Sequence, residues 1–326
     1  MKKALVLGAT GQDGSYITEL LLKKGYEVYG MIRRSATGNT LNIQHLIDNP
    51  DILNKNFFIC RGDLADPTSL YRIISQVQPD EIYNFADQDH VSWSYDMVGF
   101  SADVTAGAVA RILEIIKQIN PKIKYLQPCT SNMFGKTESN PQDENTPFNP
   151  QSPYACAKAF AYYITRYYRQ NFGIFSSTAI FYNHESPRRP IEYVTRKISR
   201  SVALIARGKL DKLTLGDMST RIDWGYSKDY VEAAWEMLQL DQPDDFVIGT
   251  GEVHSIQEFV EEAFKVVNLD PKIYVSSDPK LFRPTATSVL RANISKAKKV
   301  FGFDPKTKFK DLVRLMVEND LQSLRS

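Results

Sequence analysis

Cysteine is scarce in this chain of 326 residues: only Cys60, Cys129 and Cys156 occur, with no CxxC spacing. That argues against a disulfide framework and a cysteine-built zinc site, and fits a reducing, cytoplasmic setting. Histidine is scarce too. His45, His90, His184 and His254 include no i, i+4 pair, so no metal is expected. No uninterrupted apolar run approaches the ~18 residues that span a bilayer. The opening MKKALVLGATG soon meets two glycines and reads as a strand preamble, not a signal peptide. Neither sign of charge dominates: 40 Lys and Arg against 38 Asp and Glu leave a formal +2. Such a balance makes no broad claim on nucleic acid or an anionic membrane. What remains is ordinary globular composition, 43% hydrophobic and 24% charged, with room for a sizeable core and a smaller second lobe.

Short apolar runs at Ala4–Leu7, Glu27–Ile32, Phe57–Cys60, Glu81–Phe85 and Ile123–Gln127 predict strands. Amphipathic stretches around Tyr16–Lys24, Ser69–Val77 and Ala106–Ile119 predict the helices between them. Parallel neighbours need a crossover long enough to hold a helix, so this rhythm implies a doubly wound parallel α/β sheet. From about Tyr182 the pattern changes. An Arg/Pro-rich connector, His184–Pro190, leads to helical stretches near Ser199–Ile205 and Asp229–Leu238 and short apolar runs at Phe246–Ile248 and Ile273–Val275. The expected division is a cofactor domain at 1–181 and a smaller α/β substrate lobe at 182–326, interleaved with the last of the sheet. Asn140–Pro153 is a polar, proline-punctuated loop of the kind that borders a site.

Directly after the first strand stands GATGQDG, followed by the helical TELLLKKG. Gly8 suits a tight turn, Gly11 close approach of backbone to a pyrophosphate, and Gly14 close packing of a helix whose first amides face the anion. Thr10, Gln12 and Asp13 of the same turn join the candidate cofactor contacts. The alternative is a helix-capping turn in some other α/β protein. At the end of the second strand an NAD enzyme commonly places Asp or Glu on the ribose 2′-hydroxyl, but here stand Arg33, Arg34 and Ser35. Two guanidinium groups beside a hydroxyl suit a 2′-phosphate, so NADP is expected over NAD. The rival reading is a solvated basic strand end. Asp63 and Leu64, in RGDL, are placed beside an adenine, with Asp63 accepting from its exocyclic amine.

Tyr154 and Lys158 form YxxxK at the start of a long helical stretch. The i, i+4 spacing sets both on one face, where the ammonium is expected to lower the phenol pKa and to reach a cofactor ribose. A phenolate so tuned takes a proton from an alcohol while a hydride leaves to a nicotinamide. The fifth strand ends in Cys129, Thr130 and Ser131, and either hydroxyl is a partner for the same substrate oxygen.

These motifs together resemble an extended short-chain dehydrogenase/reductase, most closely the GDP-mannose 4,6-dehydratase family. The resemblance runs nearly end to end, through GATGQDGSY, RRS, DQDHVSWSYD, TPFNPQSPYACAK, FYNHESPRR, VTRKI, DWGYSKDYVEAAW and FRPT. It implies a Rossmann-like fold and NADP kept through the cycle. It also implies C4 oxidation of a GDP-hexose, loss of water across C5 and C6, and return of the hydride to C6. By position, Thr130, Tyr154 and Lys158 become the catalytic hydroxyl, the base and its lysine. Asn183, Glu185, Arg189, Val194, Lys197 and Arg283 become the nucleotide-sugar pocket, its cations facing diphosphate. The resemblance further implies a homodimer or homotetramer built on the Tyr154 helix, for which Tyr162, Tyr163, Tyr167 and Tyr168 suit a contact face.

The chain also departs from that family. Where the family has Thr-Ser-Glu, with Glu the acid/base of elimination, this sequence has Asn132, and an amide cannot accept and return a proton. Asp89, where the family usually has Ser, is the first candidate replacement and Asp87 the second; a solvated Asp89 beside His90 is the plain alternative. Ala286 replaces a family Glu, and Ile222 a family Arg, leaving Arg221 displaced by one as the candidate substrate-phosphate contact. Two enzymatic readings follow: a dehydratase with rearranged acid/base, or a same-scaffold dehydrogenase, reductase or epimerase that never eliminates water. An idle nucleotide-sugar binder is a third, which intact Thr130, Tyr154 and Lys158 oppose. Trp93, Trp224 and Trp235 are expected to fill packing contacts more than to stack on guanine.

Overall fold

The computed structural model describes residues 1–281 and 288–324. Strands β1 (Lys3–Leu7), β2 (Glu27–Ile32), β3 (Phe57–Arg61), β4 (Glu81–Asn84), β5 (Lys124–Thr130) and β6 (Ser176–Phe181) build a parallel sheet. It is completed by β11 (Asp245–Ile248), and the order is β11-β6-β5-β4-β1-β2-β3. The remaining short strands, β7 (Asn183–Glu185), β8 (Leu213–Leu215), β9 (Arg221–Ile222), β10 (Trp224–Tyr226), β12 (His254–Ser255) and β13 (Val275–Ser277), pair as β7 with β10, β8 with β13, and β9 with β12.

Strand β1 shows why the layers form. Its side chains alternate, so Ala4 and Val6 enter the core on one face while Leu5 and Leu7 enter the other. Helix α1 (Gln12–Lys23) covers the first face; α2 (Pro67–Val77), α3 (Ala108–Ile119) and α4 (Pro153–Phe172) cover the second. Chain order reverses at β1, whose Leu7 pairs with Met31 of β2 and Asn84 of β4. In open α/β sheets ligands bind beyond the carboxyl ends at such a switch point.

Strand β6 is absent from the strand expectations. Its SSTAIF sequence starts with three hydroxyl residues, yet all six positions are buried. Burial is tolerable because each hydroxyl is paired. Ser176 donates to Thr165 O at 3.1 Å, Ser177 accepts from Asp244 N at 3.3 Å, and Thr178 bonds Asp245. Strand β5 runs past the apolar run that ends at Gln127 to Thr130, which pairs with Phe181, and Ser131 starts the turn that follows. The expected Ile273–Val275 run divides: Ile273 lies in a helical turn and Val275 begins β13.

Helix α6 (Ser227–Gln239) packs back on the sheet side of α1. Helices α5 (Val194–Ala206), α7 (Ile256–Val266) and α8 (Phe309–Ser323) enclose a separate core with Leu213, Leu215 and Trp224. Trp224 packs on Phe259 and Phe309, and Trp235 donates to Tyr26 Oη at 3.1 Å, both as packing residues, while Trp93 is 51% exposed. Among the described residues no helix is long and apolar enough to cross a membrane.

Candidate active site

The turn after β1 sits where the sheet order reverses. Gly8 has φ +78°, and a Cβ there would lie 2.6 Å from Phe85 O. A Cβ on Gly14 would lie 2.1 Å from Gly8 O, so the helix approaches the turn as closely as only glycine permits. Gly11 differs: among the described residues a Cβ would find only Gly8 O, at 3.4 Å. Its outer side is open. The first intrahelical bond runs from Ser15 N to Gly11 O, so the amides of Gln12, Asp13 and Gly14 precede the ladder as an anion seat. This cradle fits a dinucleotide pyrophosphate. Thr10 contributes a carbonyl that is already taken by Asn42 Nδ2 at 3.0 Å.

The side chains of Gln12 and Asp13 require a correction to their expected role. Gln12 donates to His184 O at 3.1 Å and accepts from Ser186 Oγ at 2.8 Å. Asp13 holds His184 Nε2 at 2.8 Å and Ser227 Oγ at 2.5 Å. Both side chains are turned into the protein and fasten the glycine turn to β7, the connector after it and α6, while their backbone amides stay in the anion seat. Burial alone would raise the Asp13 carboxyl, but His184 and Ser227 hold it below its ordinary value. His184 is in turn held above its own, as the Asp13 charge outweighs burial.

At the end of β2, Arg33, Arg34 and Ser35 are exposed. Among the described residues neither guanidinium has a carboxylate partner, so both are available to an anion. Asp63 receives Ala65 N at 3.0 Å on one oxygen, and Leu64 is buried with its carbonyl on Arg111.

Strand β5 and helix α4 bring the reactive group together. Ser152 caps α4 by accepting from Ala155 N, and Pro153 takes the first helical position. This fixes Tyr154 in the first turn. The Thr130 hydroxyl lies beside the buried Tyr154 phenol, whose ionisation it favours, and accepts Asn132 N at 3.3 Å. Ser131 is buried beside them, with Asn132 next in the turn. Lys158 Nζ lies 2.8 Å from Pro128 O and 2.5 Å from Asp87 Oδ2. The expectation of a lowered phenol pKa is overturned: Tyr154 is held well above its ordinary value, first by burial, then by the carboxylates of Asp87 and Asp89. Lys158, whose charge was to do the lowering, is paired with Asp87, and that carboxylate raises the ammonium pKa against the effect of burial. Asp89 is exposed and accepts from Tyr193 Oη at 2.8 Å.

Past the connector, Glu185 is buried, accepts from Thr195 Oγ1 at 2.7 Å and pairs with Arg189 Nε at 3.2 Å. The Arg189 guanidinium lies 3.5 Å from the Tyr193 ring centroid, which joins it to Asp89 through one aromatic ring. Asn183 lies on β7 and Val194 opens α5. Lys197 Nζ gives one proton to Thr214 O at 2.7 Å. Arg221 is corrected: its guanidinium donates to Val253 O at 2.8 Å and faces Glu258, because β9 pairs with β12. It is not offered to a diphosphate. Arg283 and Ala286 lie outside the described residues. The Asp87–Lys158 pair and the Tyr193–Arg189 stack are the parts that sequence spacing did not bring together.

With this geometry in view, comparison with known proteins is informative. The profile of the family described as GDP-mannose 4,6 dehydratase matches residues 5–316. A GDP-mannose 4,6 dehydratase of Cricetulus griseus is 45% identical over 346 residues, covering 100% of this chain and 93% of that protein. GDP-mannose 4,6 dehydratase 1 of Arabidopsis thaliana is 46% identical, covering 98% and 90%. Among solved structures, a dTDP-glucose 4,6-dehydratase of Bacillus anthracis in complex with NAD superposes with a TM-score of 0.85. It is 22% identical and covers 100% of this chain and 98% of that one.

Proposed function

Because the chain belongs to the GDP-mannose 4,6-dehydratase family, we propose that it is a nucleotide-sugar 4,6-dehydratase acting on GDP-mannose or a closely related GDP-sugar. The observation that carries this reading is the Thr130–Tyr154–Lys158 group beside an open glycine cradle. Tyr154 Oη takes the C4 hydroxyl proton, Thr130 holds the same oxygen, and Lys158 keeps a proton free for a ribose hydroxyl. A nicotinamide coenzyme, when bound, accepts the C4 hydride and gives it back at C6. Between those events the C5 proton leaves to a carboxylate and the C6 hydroxyl leaves as water. Asn132 can hydrogen-bond the C6 hydroxyl but cannot move that proton. We assign this task to Asp89, which shares Tyr193 with Arg189. Arg189 and Lys197 face the diphosphate, with Asn183, Glu185 and Val194 shaping the pocket wall.

Product mass and nicotinamide absorbance, followed with GDP-mannose and a panel of other GDP-, UDP- and CDP-sugars, test the proposal. Loss of one water with no net NADPH is the expected result. Loss of two hydrogens with NADPH accumulating favours the second reading, a C4 dehydrogenase arrested by Asn132.

The coenzyme of this reading is NADP. Arg33 and Arg34 are exposed beside Ser35 and, among the described residues, have no carboxylate partner, a setting that suits charge-assisted bonds to a 2′-phosphate. Arg33→Ala with Arg34→Ala should weaken NADP by at least about tenfold and leave NAD nearly unchanged; fluorescence titration with both coenzymes decides, and equal losses would remove the assignment.

The partner of this chain is a second copy of itself. In α4, Phe160, Tyr163 and Tyr167 are 47%, 58% and 48% exposed at helical spacing, beside Tyr95, Val98 and Phe100 on the preceding short helices. Of the four expected tyrosines only Tyr163 and Tyr167 face outward; Tyr162 and Tyr168 are buried. Light scattering should give an even multiple of 37.1 kDa, and Tyr163→Glu with Tyr167→Glu should give the single-chain mass. Cell fractionation should recover the protein in the cytoplasm, where its three unpaired cysteines remain reduced.

A further inference from the structure

We propose that Asp87 is a positioning residue for the hydride step: its carboxylate holds the Lys158 ammonium and offsets the lysine charge at Tyr154, whose ring centroid lies 5.8 Å from Lys158 Nζ. The inference deepens the dehydratase reading and rests on it for its catalytic meaning.

The contact is fixed from several directions. Asp87 Oδ2 lies 2.5 Å from Lys158 Nζ, and the two side chains are 15% and 5% exposed. Pro128 O receives a second Lys158 proton at 2.8 Å, and the same carbonyl is held by Gln127 Nε2 at 2.8 Å. Gln127 is itself gripped by Asn84 Nδ2 at 3.0 Å and Tyr125 Oη at 2.5 Å. A polar network rooted in β4 and β5 thus sets the lysine against Asp87. Of its three protons, one is left for a ligand.

The charges facing this group have an acidic surplus. Asp87 and Asp89 act on Lys158; Asp87, Asp89 and Arg189 act on Tyr154; Lys158, Asp89 and Asp13 act on Asp87. Asp13 is offset by His184, and Arg189 by Glu185. An ammonium set against the phenol would favour phenolate, but here it is matched by a nearer carboxylate. Tyr154 therefore rests as a phenol across the neutral range, the form that donates a proton to a C4 oxyanion. C4 oxidation must become faster as the solution turns alkaline.

Titration of the ligand-free protein tests this without any sugar nucleotide. Tyrosine is labelled with ¹³C at Cζ, and the Tyr154 resonance is assigned by its loss in Tyr154→Phe. Asp87→Asn keeps size and an acceptor for Lys158 and removes the charge. The Tyr154 ionisation constant should rise at least tenfold, a move of about one pH unit to lower pH. In the same variant the Lys158 ammonium, followed with ¹⁵N-labelled lysine, should titrate at lower pH than in the parent, since the carboxylate that holds it is gone. An unmoved Tyr154 resonance, or an unmoved Lys158 resonance, would overturn the proposal. Should Asp87→Asn not fold, Asp87→Ser carries the same test. Because the titration needs no substrate, its failure is separate from failure of the dehydratase reading, which the product-mass assay decides.

Discussion

Tyr154→Phe should lower kcat by about 10²–10⁴-fold, the usual contribution of a positioned proton-transfer group. The substitution is mild for the fold. The ring stays in its buried place at the start of α4, and only the phenol hydroxyl beside Thr130 is lost. NADP affinity should stay within a few-fold, because the glycine cradle, Arg33, Arg34 and Lys158 are untouched. Steady-state product formation and coenzyme titration on one preparation separate the two effects. The pH profile gives a second readout. Since burial and the two carboxylates hold the phenol in its protonated form, the base form grows with pH, and the parent's C4 oxidation should rise through neutral into alkaline conditions. The residual rate of Tyr154→Phe should lack that rise. A variant as fast as the parent would remove proton abstraction by Tyr154 from the mechanism.

Asp89→Asn should divide the reaction at its midpoint. On the proposed mechanism C4 oxidation uses Tyr154, Thr130 and Lys158 and should continue, whereas C5 deprotonation loses its carboxylate and should slow by a similar factor of about 10²–10⁴, again the value of one acid/base group. The intermediate has then lost two hydrogens and no water, and reduced nicotinamide should accumulate to about one per site before the reaction stalls. The fold has little stake in this residue, which is exposed and whose hydrogen bond to Tyr193 the amide can keep. Rapid-mixing absorbance with product mass reads both halves at once. If water loss persists at the parental rate, Asp89 is not the base, and Asp87, also facing Tyr154, is next. Restoring a carboxylate by Asn132→Glu in the Asp89→Asn background should recover elimination.

Local pattern carried much of this architecture. The strand and helix rhythm of the first half, the glycine turn and the shared face of Tyr154 and Lys158 depend on neighbours within a few positions, and those were readable. What was hidden depends on distant partners. Strand β6 looks too polar for a sheet interior until Thr165, Asp244 and Asp245 are seen to satisfy its hydroxyls. Asp13 reads as a cofactor contact because His184, its partner, lies 171 positions away. Arg221 reads as a displaced phosphate ligand until β9 is paired with β12, which turns it to Val253 and Glu258. The phenol offers the sharpest case. YxxxK gives geometry correctly, but the phenol is held up first by its burial and then by the carboxylates of Asp87 and Asp89, which come from a different strand end.

The fastening of Gln12 and Asp13 to His184, Ser186 and Ser227 gives the molecule a shared keystone. The turn that opens toward the coenzyme is braced by the same bonds that set the entrance of the connector carrying Glu185 and Arg189. Neither half of the crevice is a separable module. Grafting the first lobe onto a foreign second lobe would disturb four hydrogen bonds at their joint, one fully and three partly buried, so new sugar specificity is accessible by changing residues beyond Ser186 and much less by exchanging whole lobes.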